Sequence, residues 1–223
     1  MAEIKVQVVQ LKKSVGISMS FSNLLLLTRN GIGKKRNKTK NMLIATKLKK
    51  ENICEYLLYM WQIEDILRAC KLDIELVDKH IISKFPVKDE AERKAVYEWY
   101  ESLIEMMRLE NVQEKGHLQI NSNVIIDLND FHSQVMKSSE VPAYHAKYYH
   151  ILPFINQFRA KSNPGLSDIE LCFNFMYGFM LLKMKGAEIK PETVQSQTEI
   201  GKYMALLAKY YHRYKNGELD LEV

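Results

Sequence analysis

The chain has 223 residues, of which 47% are hydrophobic and 26% charged. That balance excludes a disordered or membrane-embedded chain, and the length fits a single ordinary domain. Its three cysteines, Cys54, Cys70 and Cys172, form no C-x-x-C pair. This excludes a disulfide framework and a zinc knuckle, and points to free thiols in the cytoplasm.

The formal net charge of +5 is unevenly spread. Residues 1–41 hold nine basic side chains (Lys5, Lys12, Lys13, Arg29, Lys34, Lys35, Arg36, Lys38 and Lys40) against one acid, Glu3, so the rest of the chain is mildly acidic. No sustained period runs through this arm. A stretch from Val15 to Leu27, broken by serines, leads into the basic run from Gly33 to Asn41. A secretory signal would need an uninterrupted apolar region and a small-residue cleavage site, and Thr28-Arg29-Asn30 offers neither. A basic arm that grips phosphates by releasing counterions is an open alternative. The preferred reading is a disordered extension or translated upstream leader, with the domain starting at Met42, so nucleic acid is not an expected partner. No apolar run reaches the roughly 18 residues of a bilayer span, so no membrane is expected either.

From Leu43 the apolar spacing is helical throughout, with no alternating strand of useful length, and about seven helices are expected. The first spans Leu43 to Cys70, with Ile53, Tyr56, Leu57, Met60 and Leu67 on one stripe. Asp73 caps a short second helix, carrying Ile74, Val77, Ile81 and Phe85, that ends before Pro86. The third, Asp89 to Val112, buries Val96, Tyr100, Leu103 and Met107, and Gly116 can turn left-handed beyond its end. The fourth, Leu118 to Lys137, aligns Ile120, Val124, Leu128, Phe131 and Val135.

The fifth helix, Val141 to Ala160, aligns Tyr144, Tyr148, Ile151, Ile155 and Phe158, with Pro153 expected to kink it. Asn163-Pro164-Gly165 turns the chain into a sixth helix, Ile169 to Met184, opened by a Ser167/Glu170 capping box and apolar nearly all round. Such a helix belongs at the centre of a core or against a partner chain. Pro191 opens the seventh, which buries Ile200, Met204, Leu207 and Tyr211 and stops at Asn216-Gly217. Short connections favour antiparallel neighbours. The predicted fold class is therefore all-α: a compact, mostly antiparallel bundle forming one domain over residues 42–217, followed by a tail at 218–223.

The segments Glu51-Asn52-Ile53, Glu55-Tyr56-Leu57-Leu58-Tyr59-Met60-Trp61-Gln62, Glu64-Asp65 and Arg68-Ala69, with Gly116-His117-Leu118, resemble a bacterial all-helical family, domain of unknown function number 4924. The resemblance covers residues 42–217 and excludes the arm. It implies a cytoplasmic bacterial protein and supports Met42 as the start, and it carries over no activity, ligand or site.

Glu64 is the sharpest anomaly, because at 100° per residue it falls inside the apolar stripe of the first helix. A buried carboxylate must be paired or protonated, and Arg68, four residues on, is the nearest candidate. Either the two form an internal pair that fixes helix packing, or Glu64, Arg68, Tyr56 and His117 line a polar internal pocket. His117 falls on the fourth helix's line with Ile120 and Val124 if that helix begins so early, Asp127 and His132 flank the same stripe, and together with Glu64 they suggest a carboxylate-histidine metal site. A ferritin-like centre, however, needs two Glu-x-x-His motifs on facing helices. Only Glu114-x-x-His117 occurs, interrupted by Gly116, so neither a metal nor a cofactor is expected.

Tyr144-His145 and Tyr148-Tyr149-His150 make an aromatic cluster, but the two histidines point about 140° apart and cannot share a ligand on one helix face. Gly31-Ile32-Gly33-Lys34-Lys35 lacks the spacing of a phosphate loop. The expected function is a non-enzymatic helical interaction or regulatory module, with a homodimer or another protein as partner. The alternative is a helical-bundle enzyme or small-ligand binder using the pocket around Glu64.

Overall fold

Among the residues that the computed structural model describes, 42–85, 87 and 89–221, every regular element is helical, as the apolar periodicity requires. Eight α-helices follow in order: α1 Met42–Glu51, α2 Ile53–Ala69, α3 Ile74–His80, α4 Glu90–Leu109, α5 Gln119–Val135, α6 Pro142–Arg159, α7 Asp168–Met184 and α8 Pro191–Lys215. A single 3-10 turn, Ile82–Lys84, continues from α3. Pro86, invoked to end that element, lies outside the described residues, as does the basic arm.

The count of about seven rises to eight because the expected first helix is two. Asn52 interrupts it: its Oδ1 accepts from the backbone N–H of Cys54 and of Glu55, each at 3.2 Å, which is how an N-cap satisfies the open end of a helix. The Asn52 carbonyl still accepts from Tyr56 N at 2.9 Å, so α2 starts at full strength.

The fold comprises two compact units. The first takes in the described residues up to Lys49 together with Tyr59–Asn121, and the second takes in Lys50–Leu58 and the chain from Ser122 onward. The chain passes from one to the other inside α1, inside α2 and inside α5.

In the first unit, α3 packs on α4. Asp73 caps α3 by accepting from Glu75 N at 2.9 Å, and Asp89 caps α4 by accepting from Glu92 N at 2.8 Å. Val96, Tyr100, Leu103, Ile104 and Met107 bury the α4 stripe at steps of three and four. Both oxygens of Asp78 accept from Arg93, at 2.9 and 2.7 Å, tying the two helices at their rim.

The α2 stretch in this unit is buried nearly all round, with Tyr59, Met60, Trp61, Ile63, Glu64 and Leu67 all out of solvent. It ends in a left-handed turn. Leu72 N donates to Leu67 O and Lys71 N to Arg68 O, a Schellman closure with Lys71 at φ 56° in the position usually filled by glycine.

In the second unit, α6, α7 and α8 pack against one another. Ser167 Oγ accepts from Glu170 N at 3.1 Å and opens α7 as the capping box predicts. Gly186, at φ 63°, closes it. The expected apolar alignment of α5 is corrected at its first member: Ile120 is 37% exposed, while Val124, Leu128, Phe131 and Val135 are buried. Helix α7 is not uniformly enclosed. Ile169, Leu171, Cys172, Phe173 and Phe179 are buried, but Phe175, Met176, Leu181 and Met184 are half-buried and Leu182 is exposed.

Candidate functional site

The first unit buries one carboxylate completely. Glu64 sits on the inward face of α2, and both of its oxygens are occupied by N–H donors from the chain entering α5. Oε1 accepts from Leu118 N at 2.9 Å and from Asn121 Nδ2 at 2.6 Å, and Oε2 lies 2.6 Å from His117 Nδ1. A carboxylate offers only lone pairs, so Nδ1 carries the imidazole proton and donates, leaving the ring's free pair on Nε2. Charge-assisted bonds of this length are the strong ones, and three of them answer the cost of burying the charge.

Trp61, one turn before Glu64 on α2, fixes the imidazole plane. Its indole lies 4.1 Å from the His117 ring at an interplanar angle of 10°. The carboxylate takes one edge of the ring and the indole one face. The His117 side chain keeps 34% of its surface open, and among the described residues Nε2 makes no hydrogen bond.

Arg68 supports the same loop but does not pair with Glu64, which corrects the expected internal salt bridge. Its guanidinium bonds Asp65 at 2.8 Å and donates to the carbonyls of Val112 at 3.1 Å and Gly116 at 2.5 Å. The physical reason is competition: backbone and side-chain N–H groups saturate Glu64, and the longer arginine reaches carbonyls left open beyond the end of α4. Gly116 adopts φ 88°, a left-handed conformation that aims the following residue, His117, back at α2. His117 therefore sits in the loop before α5, not on that helix's stripe. Glu110 Oε2 accepts from Gln119 N at 2.6 Å and caps the new helix.

Of the four candidates, Glu64 and His117 meet, and Arg68 holds the loop between them. Tyr56 is buried on the α2 stretch that belongs to the second unit. Two members were missed, Trp61 and Asn121. Asn121 was within reach of the pattern, because 121, 124, 128, 131 and 135 step by three and four without a break. That register makes Asn121 the inward residue of the first turn, with no exposed surface, and leaves Ile120 outside. Its Nδ2 must face the carboxylate, and its Oδ1 is buried with no protein partner among the described residues.

The other metal candidates are engaged elsewhere. Asp127 accepts from Tyr211 Oη at 2.6 Å and pairs with Lys215 at 3.1 Å, and those two donors hold its carboxyl below the usual range. His132 Nδ1 lies 2.8 Å from Tyr144 Oη and 3.2 Å from Tyr203 Oη, the two hydroxyls being 2.8 Å apart. Burial pulls its imidazole below the ordinary value, opposed in part by Asp168. Tyr148 and Arg159 both bond Asp168, which joins α6 to the start of α7. Among the described residues no three or more His, Cys, Asp or Glu side chains are grouped to hold a metal.

All three thiols are buried and unbridged, and burial pushes Cys54 and Cys172 up and Cys70 to about 11, the opposite of what a nucleophile needs. Each unit carries a surface cleft. One runs along Lys209, His212 and Arg213, and the other along Glu98, Glu101 and Glu105. Neither is lined by Glu64, Arg68, Tyr56 or His117.

No curated protein and no solved structure matches the chain. One family model matches, described as a domain of unknown function (DUF4924), and it spans residues 42–218, from the first residue of α1 to just past the end of α8. The chain belongs to the DUF4924 family.

Proposed function

We propose that residues 42–217 form one non-enzymatic interaction module of the bacterial cytoplasm, in which α7 is the association face. The observation that carries this reading is the second half of α7. Between Phe175 and Met184 only Lys183 is charged, Leu182 is 42% exposed, and Val194 beyond it is 43% exposed. A helix without a polar side that is not fully enclosed marks an association surface.

A face with a single charge offers little to a charged partner and suits a copy of itself, packed about a two-fold axis. The module is then a homodimer through α7. Sedimentation velocity across a range of concentrations should show reversible dimerisation that Leu182→Asp abolishes while the helical signal is kept. A strict monomer at every concentration would remove the homodimer. The buried, unbridged thiols support a reducing compartment, and no helix of the described residues is long and apolar enough to cross a membrane.

One observation favours the alternative, a small-ligand binder or enzyme using Glu64, Arg68 and His117: the open edge of the His117 ring. Against it stands Glu64, which has no exposed surface and no spare oxygen for a ligand in an internal pocket. Tyr56 contributes nothing to decide between the two. Isothermal titration of small polar metabolites separates them, because saturable binding lost in Arg68→Ala would favour the binder.

A further inference from the structure

We propose that Nε2 of His117 is a phosphoryl-accepting site, loaded from an acyl phosphate presented by another protein. The argument begins with what the surroundings do to the ring. Glu64 holds the proton on Nδ1 at 2.6 Å, so the lone pair is fixed on Nε2, and stacking on Trp61 at 4.1 Å holds the ring plane. A third of the side chain is open, and among the described residues nothing bonds Nε2. The result is a rigid, carboxylate-backed nucleophile on a solvent-facing edge.

Three chemistries use such a nitrogen. Metal binding needs further ligands, and among the described residues no suitable group of three exists. General base catalysis needs a substrate seat beside the ring, and the clefts along Lys209 to Arg213 and along Glu98 to Glu105 lie elsewhere. Accepting a group from a donor held by another protein needs only an accessible Nε2, because the partner brings the seat.

The charge balance of the transfer fits the residues in place. The Nε2 lone pair forms a bond to phosphorus, the donor's P–O bond breaks, and the carboxylate leaving group departs with the electron pair. The ring, now bonded at Nε2 and still protonated at Nδ1, becomes cationic. Glu64 lies against that proton and neutralises the ring in the low-dielectric core, where such pairing is strongest. Arg68, bonded to the carbonyl of Gly116, keeps a fixed positive charge next to the peptide that leads into His117. Leu118 and Gln119 N–H are already engaged by Glu64 and Glu110, so the role falls to these side chains rather than to the end of α5.

The probe is phosphoramidate, a small donor whose P–N bond breaks with loss of ammonia, applied to the full chain. Phosphohistidine is mapped by mass spectrometry under alkaline handling. His212 is the internal control, an exposed imidazole with no carboxylate on its ring. His117 should be modified at Nε2 about tenfold or more faster than His212, within the range a positioned charge partner supplies. Glu64→Gln should bring the His117 rate down to that of His212 and leave His212 unchanged. The probe reads His117 whether or not α7 pairs two copies, so this result and the dimer reading can fail separately. Equal rates at the two histidines in the unaltered chain would overturn the proposal, and that comparison requires no variant to fold. An unchanged His117 rate in a folded Glu64→Gln chain would overturn it as well.

Discussion

A carboxylate with no exposed surface persists in a core only where both of its oxygens are answered, and Glu64 is answered by three N–H groups within five residues of chain, His117 to Asn121. Glu64→Ala strands all three donors, and the expected loss is about 3 to 5 kcal/mol, the range for removing one partner of a buried charged set. Urea unfolding followed by circular dichroism measures it. Glu64 was visible in the sequence because a charge interrupts an apolar stripe. Its partners were not, since a backbone N–H has no letter and the left-handed Gly116 turn that aims His117 at α2 is a three-dimensional event.

His132 gives a prediction in pH. Burial among Tyr144, Tyr148 and Tyr203 lowers its folded value below the ordinary 6.5. The unfolded chain therefore takes up the proton first as pH falls, and this contribution to stability is complete above that value and declines as pH drops through it. Urea midpoints at about pH 8 and pH 5 should differ by less in His132→Gln than in the unaltered chain.

Helix ends repeat one solution. α2, α4, α7 and α8 each close with paired backbone bonds around a left-handed residue, Lys71, Asn111, Gly186 and Gly217 respectively. The last two were legible, since glycine is the residue that adopts this conformation without a steric cost. Lys71 gave no such signal, and neither did Asn52, which lies in an apolar period that continues on both sides. The inference is that Lys71 is held in place by its neighbours at a cost. Lys71→Gly should stabilise the fold by about 1 kcal/mol, the penalty an L side chain meets in that conformation. A denaturation midpoint that falls instead would mean the lysine side chain makes a contact worth more than the strain.

For the molecule as a whole, the fold class followed from apolar spacing alone, because every described element recurs at helical pitch. Function did not follow, since surfaces carry no comparable period, and the exposure of Leu182 depends on what α6 and α8 leave uncovered. The single-domain expectation becomes a prediction from chain continuity. α2 and α5 each run through both compact units, so melting one unit unwinds turns that belong to the other. One calorimetric transition with matching calorimetric and van't Hoff enthalpies is expected, and two separate transitions would refute it. The placement of the indoles makes this easy to follow. Both tryptophans, Trp61 and Trp99, belong to the first unit and none to the second. Tryptophan emission therefore watches the first unit while ellipticity watches both. Because the His117 imidazole lies flat on Trp61, the indole emission should change as that stack opens, marking the moment the buried glutamate is released.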